Sequence, residues 1–451
     1  MGPARGRFFE NLDSFMLKCM TNTLSTGHSS SSRLPVLRIF KLIGTAVAVV
    51  AGASFDRIVK RHSDFESLLA HRVRLAFEHL GPTFVKAGQL LSSSAGPLPQ
   101  AWMDEMAHCR DDVAAAPWKA ACELLAGELG DKVDQILDMD REPIAAGSMA
   151  QVYGAYLANG DAVVVKVQRP GLEKVLSKDI RILRTAARLA IRFSPSCAAA
   201  NPKALVEEFA SGLAQQLSFR READNADQMR GPLSTLGVRV PKVYRDLSTD
   251  RVLVMERFCG TRPDDTSSID SEGIDRPKLV QTIVGALLVP ALGNGLFHGD
   301  MHPGNMVVLP DGDLGMLDFG VVEQLESQAR EAAGELLEGL SSRRYGDMVM
   351  ALFKLVDPSQ IDLNALIPEV QALVCDFIDR PLATMDVREA INGMLELAAR
   401  NKFSLPESLV AFLKQILYIS GICRTLEPDF DVLGGIAPIV TLARQAQPVA
   451  A

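Results

Sequence analysis

The spacing of apolar and polar positions changes along the chain, and each change predicts an element. Asp161-Ala162-Val163-Val164-Val165-Lys166-Val167-Gln168 is a short, β-branched run with one lysine inside it, which predicts a strand. Arg251–Phe258 has the same character. Met306–Leu309 and Leu314–Leu317 predict two short strands around the turn Pro310-Asp311-Gly312-Asp313. Pro143–Tyr153 predicts a turn of small residues between two strands, Trp118–Leu137 one helix, and Pro263–Ser268 a surface loop. From Leu42 to Phe55 the chain is uncharged for fourteen residues behind Arg38 and Lys41. Fourteen falls short of the roughly 20 that cross a bilayer. The run predicts either a helix lying in a membrane interface or one packed on the core.

The chemistry concentrates in His298-Gly299-Asp300-Met301-His302-Pro303-Gly304-Asn305 and in Asp318-Phe319-Gly320. Asp300 and Asn305 are five residues apart, and Asp318 follows eighteen after Asp300. The hairpin between them returns Asn305 and Asp318 to one place. Carboxylate and amide oxygens suit a hard cation bridging nucleotide phosphates. In kinase-type sites a loop Asp handles the nucleophile while a loop Asn and the Asp of DFG hold magnesium. Lysine is almost never buried unpaired, so Lys166 inside a valine run implies a partner anion, unless the run is an edge strand with Lys166 in solvent. Ahead of it, Ala145-Ala146-Gly147-Ser148 lets backbone N–H groups approach phosphates closely, although it lacks G-x-G-x-x-G.

Together, Ala145-Ala146-Gly147-Ser148-x-x-Gln151-Val152, Val165-Lys166-Val167-Gln168-Arg169-Pro170-Gly171, the HGDMHPGN loop and Leu317-Asp318-Phe319-Gly320 resemble the UbiB/ADCK family of atypical kinases. Its most specific mark, Lys-x-Gly-Gln in a helical extension, stands here as Lys86-Ala87-Gly88-Gln89. The resemblance covers about residues 70–435 and implies an α+β, protein-kinase-like bilobal fold with a helical N-terminal extension. It implies Asp300 as the catalytic-loop acid, Asn305 and Asp318 as metal ligands, and Lys166 on the phosphates, paired with Glu222 of Arg221-Glu222-Ala223-Asp224-Asn225. Ala145 to Ser148 would cover the nucleotide, and Met255 and Glu256 would form the hinge that holds adenine. An ordinary buried strand fits the hinge segment equally well. Lys86 and Gln89, three apart and so on one helical face, would face the active site and restrict entry.

Two departures from the family stand out. An acidic pair expected just before the Glu222 helix is Gln216-Leu217-Ser218, which leaves Lys86 only neutral partners. The third alanine of the Ala-rich loop is Gly147, which frees the backbone to adopt positive φ. Two further features separate the chain from conventional protein kinases. Gly299 stands where an H-R-D arginine would be, and no Ala-Pro-Glu follows the DFG, so an ordinary peptide is not the expected substrate.

At 451 residues the chain is long enough for two or three compact units, and 47% hydrophobic residues are ample for a core. A net charge of −8 argues against nucleic acid as a partner. Seven scattered cysteines without C-x-x-C imply a reducing compartment and no zinc site. The expected order is a poorly ordered segment 1–34, a helical extension 35–140, a small lobe 141–258 and a large lobe 259–445. Pro3 and Gly6 disfavour myristoylation of Gly2, and no long apolar tail is expected after Phe430, unlike family members that end in transmembrane helices. The resemblance implies an ATP- and Mg2+-dependent kinase or ATPase, cytoplasmic and peripheral to a membrane. Its setting would be isoprenoid-quinone or related lipid metabolism, with a lipid or quinone-like molecule or a biosynthetic enzyme complex as partner. The alternatives are a phosphotransferase resembling aminoglycoside kinases and a non-catalytic, nucleotide-gated scaffold.

Overall fold

The computed structural model describes residues 36–60, 65–93, 100–109, 115–193, 201–355, 368–369, 371–372, 387–400 and 405–445. Residues 1–34, expected to be poorly ordered, lie outside them.

The described chain opens with α1 (Val36–Lys60), α2 (Phe65–Leu80), α3 (Pro82–Ser93) and α4 (Gln100–Ala107). α1 is longer than its uncharged run because Arg38 and Lys41 lie inside the helix and bond outward. Arg38 Nη2 donates to the Leu80 carbonyl at 2.7 Å, and Lys41 Nζ to that of His79 at 3.0 Å. The expected helix over Trp118–Leu137 is shorter than the pattern implied. α5 (Trp118–Leu129) stops at Gly130, whose φ of 55° a glycine adopts without a Cβ clash. A 3₁₀ turn and β1 (Ile136–Leu137) follow.

The small-residue turn sits between β2 (Ala145–Ala146) and β3 (Ala150–Leu157), and the valine run is β4 (Ala162–Gln168). Helices α6 (Leu172–Phe193), α7 (Pro202–Leu217) and α8 (Phe219–Ser234) come next, then β5 (Val238–Arg239) and β6 (Val252–Glu256). Pro263–Ser268 is a loop only in its first half. Asp265 accepts the Ser268 N–H as an N-cap and starts α9 (Thr266–Ser271). After α10 (Arg276–Gly293) come four short strands, β7 (Leu296–His298), β8 (Met306–Val308), β9 (Leu314–Met316) and β10 (Val322–Gln324). The described chain ends with α11 (Ser327–Ser341), α12 (Tyr345–Phe353), α13 (Val387–Arg400), α14 (Glu407–Leu426) and α15 (Val432–Gln445).

Two compact units result. One comprises Met1–Ala114, Ala146–Met149 and Arg169–Gln215, and the other Ala115–Ala145, Ala150–Gln168 and Gln216–Ala451. The first is helical where described apart from Ala146–Met149, the end of β2 and the turn after it. Its polar centre is Asp179, fully buried on α6, which accepts from Arg38 Nε and Nη2, each at 2.7 Å, and from Thr83 Oγ1 at 2.7 Å. A carboxylate tolerates such burial only when paired and hydrogen-bonded. In the same unit α1 leaves Val36, Leu37, Phe40, Val47, Val50 and Phe55 exposed. Val36–Asp56 and Glu407–Leu426 are each long and apolar enough to cross a membrane by length and composition. The second of these buries Leu409, Phe412 and Ile419 in the protein core.

In the second unit, β1-β3-β4-β6 form an antiparallel sheet with β2 beside β3. The two-residue period of β4 sends Val163, Val165 and Val167 into a core with Tyr153, Val252 and Val254, which Trp118 closes edge-on at 5.3 Å. Val164 and Lys166 take the opposite face, where Phe219 and Ala223 of α8 pack against Val164, Leu253 and Met255. A second core surrounds α10, thirteen of whose residues are buried, and joins Phe297, Phe319 and Phe412.

Candidate active site

Because alternation turns Lys166 toward α8, its ammonium meets the first turn of that helix. Lys166 Nζ donates to Glu222 Oε1 at 2.8 Å, to Glu222 Oε2 at 2.9 Å and to Asp318 Oδ2 at 2.7 Å. The Phe219 ring lies 5.3 Å away. α8 is fixed at its start by Ser218, whose hydroxyl accepts the Arg221 N–H and donates to Asp250 Oδ1 at 2.8 Å. Gln168 Nε2 holds the α7–α8 junction by donating to the Leu217 carbonyl at 3.0 Å. The position where an acid was expected thus serves as a helix cap, which Ser and Asp fill about equally well.

One cation faces two carboxylates, and they respond differently. Burial pushes Glu222 up to about 7, the Asp318 charge adds to the effect, and Lys166 opposes both. For Asp318 burial acts upward too, but the Lys166 ammonium and the Gly320 N–H hold it well below the usual range. Lys166 itself stays charged, because the two carboxylates outweigh its burial.

β8 and β9 pair antiparallel, Met306 opposite Met316, and the Leu317 N–H bonds the Asn305 carbonyl at 2.9 Å. This brings Asn305 beside Asp318. Asn305 Nδ2 donates to the Asp300 carbonyl at 3.0 Å and to Asp300 Oδ2 at 3.3 Å, so its Oδ1 remains as the acceptor atom. Asp300 is 46% exposed, open enough to reach a reacting hydroxyl. His298 is fully buried and joins the two motifs. Its Nδ1 accepts the Asp300 N–H at 3.1 Å, which places the proton on Nε2, bonded to the Asp318 carbonyl. Burial lowers its pKa and keeps it neutral in that role. Asn225 Nδ2 pins the Phe319 carbonyl at 2.8 Å. Gly299 has its own reason: a Cβ there would lie 2.6 Å from Val321 Cγ1, because β10 pairs with β7 alongside.

Lys166, Glu222, Asp318, Asn305 and Asp300 therefore form one cluster within the second unit. Met255 and Glu256 end β6, and the Glu256 N–H is taken by the Lys242 carbonyl at 2.9 Å, so a donor to adenine is not this one. Gly147–Met149 belong to the first unit, where Arg169 Nε donates to the Gly147 carbonyl at 2.6 Å. Gly147 is not among the described glycines of positive φ, so what it offers is a looser backbone rather than a left-handed turn. Lys86 and Gln89 lie on α3 of the first unit, both half-buried. His298, Asn225 and Gln168 sat in motifs without an assigned role. Only the fold shows what they hold.

Residues 108–351 match the ABC1 atypical kinase-like domain, and residues 370–431 the UbiB helical domain. The chain belongs to this ABC1/UbiB family of atypical kinase-like proteins. It is 32% identical over 391 residues to the Arabidopsis thaliana protein ACTIVITY OF BC1 COMPLEX KINASE 1, chloroplastic, covering 86% of this chain and 57% of that one. To the "Probable protein kinase UbiB" of Aliivibrio fischeri it is 30% identical over 399 residues, 85% of this chain and 73% of the relative. The complex of Rv3197 with erythromycin from Mycobacterium tuberculosis shares the fold, with a TM-score of 0.52 at 18% identity over 91% of this chain and 98% of that one. The fold is kinase-like, mixed helix and sheet, with a helical N-terminal region.

Proposed function

We propose that this chain is an ATP-binding, magnesium-dependent atypical kinase or ATPase, with Asp300, Lys166 and Glu222 as its catalytic set. The observation that carries the reading is Lys166 held between Glu222 and Asp318, in a cluster that also joins Asn305 to Asp300. The donor chemistry suits magnesium, which is bound through one or two protein carboxylates plus substrate phosphates rather than by a full protein cage. Asp318 and Asn305 Oδ1 would hold it, and it would supply charge neutralisation on the phosphates. Lys166 binds phosphate oxygens and is kept charged and aimed by Glu222. Asp300 orients the attacking oxygen of a hydroxyl or water and takes its proton. The new O–P bond forms as the bond from the γ-phosphorus to the departing diphosphate breaks.

The membrane setting is supported by α1. Its exposed apolar side borders an open groove of about 490 Å³, lined by Phe40, Ala48, Val49 and Leu75 with Lys41, Arg72 and His79 among its polar members. Basic groups beside an apolar face suit anionic headgroups and a lipid or quinone-like molecule. Isoprenoid-quinone or related lipid metabolism, peripheral to a membrane on its cytoplasmic side, is the setting that fits the family. ATP hydrolysis by the purified chain, with and without anionic liposomes and quinone-like headgroups, tests this reading. Turnover that rises with either supports it. Nucleotide binding without turnover would favour the scaffold instead.

A further inference from the structure

We infer that Gln415, on α14, is a positioning residue for Asp300, an inference that rests on the function proposed above. Gln415 is 1% exposed in a helix face of Leu409, Phe412, Ile419 and Ile422. A carboxamide in such surroundings is costly unless both ends are satisfied. Both are: Oε1 accepts the Met301 N–H at 2.9 Å, and Nε2 donates to the Gly299 carbonyl at 2.7 Å. The two bonds bracket Asp300.

The other backbone donors of this loop have nearby partners. The Gly299 N–H bonds Val321 across the β7–β10 pair, that of Asp300 bonds His298 Nδ1, and that of His302 turns back to the Asp300 carbonyl. Met301 alone among these four takes its acceptor from a distant element. Residue 415 lies inside the UbiB helical match and outside the ABC1 match, so the loop that presents Asp300 is set by the neighbouring domain. Burial lowers the pKa of Lys414, the preceding residue, and the charges of Asp300 and Glu323 only partly oppose it, which places this stretch of α14 against the loop. The accompanying helical domain would then be a working part of the site rather than an appendage.

The test uses the full chain with Gln415→Met, which keeps length and loses both bonds, and Gln415→Glu. For Gln415→Met the rate of magnesium–ATP turnover should fall roughly 10²-fold, as for a reacting group misplaced by about 1 Å, with the KM for nucleotide little changed. The carboxyl introduced by Gln415→Glu can accept from Met301 and donate to Gly299 only while protonated. Its activity relative to wild type should therefore recover as pH falls. Hydrogen exchange should accelerate in the peptide covering 298–305 and stay unchanged elsewhere. Unchanged turnover with unchanged exchange would overturn the inference, and so would a loss of protection spread evenly over the chain. If wild type does not turn over ATP, the proposed function falls, and the exchange measurement still decides the role of Gln415.

Discussion

The ammonium of Lys166 and the carboxylate of Asp318 are 152 positions apart in the sequence and 2.7 Å apart in the structure. With Glu222 on the other side, a single cation holds β4, α8 and the DFG segment together. Both carboxylates compete for it. Removing Lys166 should therefore leave two carboxylates facing each other without a counter-charge. Lys166→Met is expected to cost about 3–5 kcal/mol of stability near pH 8, the range for breaking a buried pair. A double-mutant cycle with Glu222→Gln in denaturant titrations should show strong coupling, since the partner to be orphaned is already neutral. Additive losses would refute the pairing.

The same cluster sets a pH dependence. Glu222 is pushed up to about 7 in the folded chain, against an ordinary 4.5 when unfolded. Between those values the folded state keeps a proton that the unfolded state has released. The contribution of Glu222 is fully present below pH 4.5 and is lost as pH rises through 7. In magnesium-free buffer, thermal midpoints should fall over this window more steeply for wild type than for Glu222→Gln. Parallel curves would place the titration elsewhere.

Membrane attachment is better tested by substitution than by truncation. Deleting α1 would remove Arg38 and strand the buried carboxylate of Asp179, so loss of lipid binding would be confounded with unfolding. Leu37→Glu combined with Phe40→Glu changes two residues that are 87% and 60% exposed. Flotation with anionic liposomes should drop several-fold while the melting temperature holds. Undiminished flotation would mean that another surface binds lipid.

The departures at Gln216, Ser218 and Gly147 predict readier autophosphorylation than in relatives with the acidic pair and a third alanine. Ser218→Asp preserves the cap of α8, so it should fold normally, and with Gln216→Glu it should reduce labelling by radioactive ATP. Gly147→Ala, at a position without positive φ, should fold as well and act in the same direction. Labelling that is unchanged in both variants would make the departures functionally silent.

Much of the site was legible because its parts are short and contiguous. Val163–Val167 betrays a strand by its β-branched run, and a lysine inside such a run points to a partner anion. The hairpin between Asn305 and Asp318 follows from its turn residues alone. What the sequence did not show depends on contacts far along the chain. The Asp318 link to Lys166 joins elements 152 residues apart, and Gln415 reaches Met301 across 114. A glutamine inside an apolar helix was the available signal for Gln415, but it names no partner. The α1 start was missed because an uncharged run excludes Arg38 and Lys41, which a helix can carry when their heads bond to carbonyls and carboxylates. The α5 end was missed because Gly130 stops the helix while apolar residues continue.

The most direct test of the account is nucleotide binding by Asp318→Asn, followed by thermal shift across a magnesium titration. Losing the carboxylate leaves a bound cation under-neutralised and removes a partner of Lys166. Wild type should gain several degrees from ATP only when magnesium is present, and Asp318→Asn should lose most of that gain. Equal, magnesium-dependent stabilisation of both proteins would contradict the assignment of Asp318 and with it the proposed site.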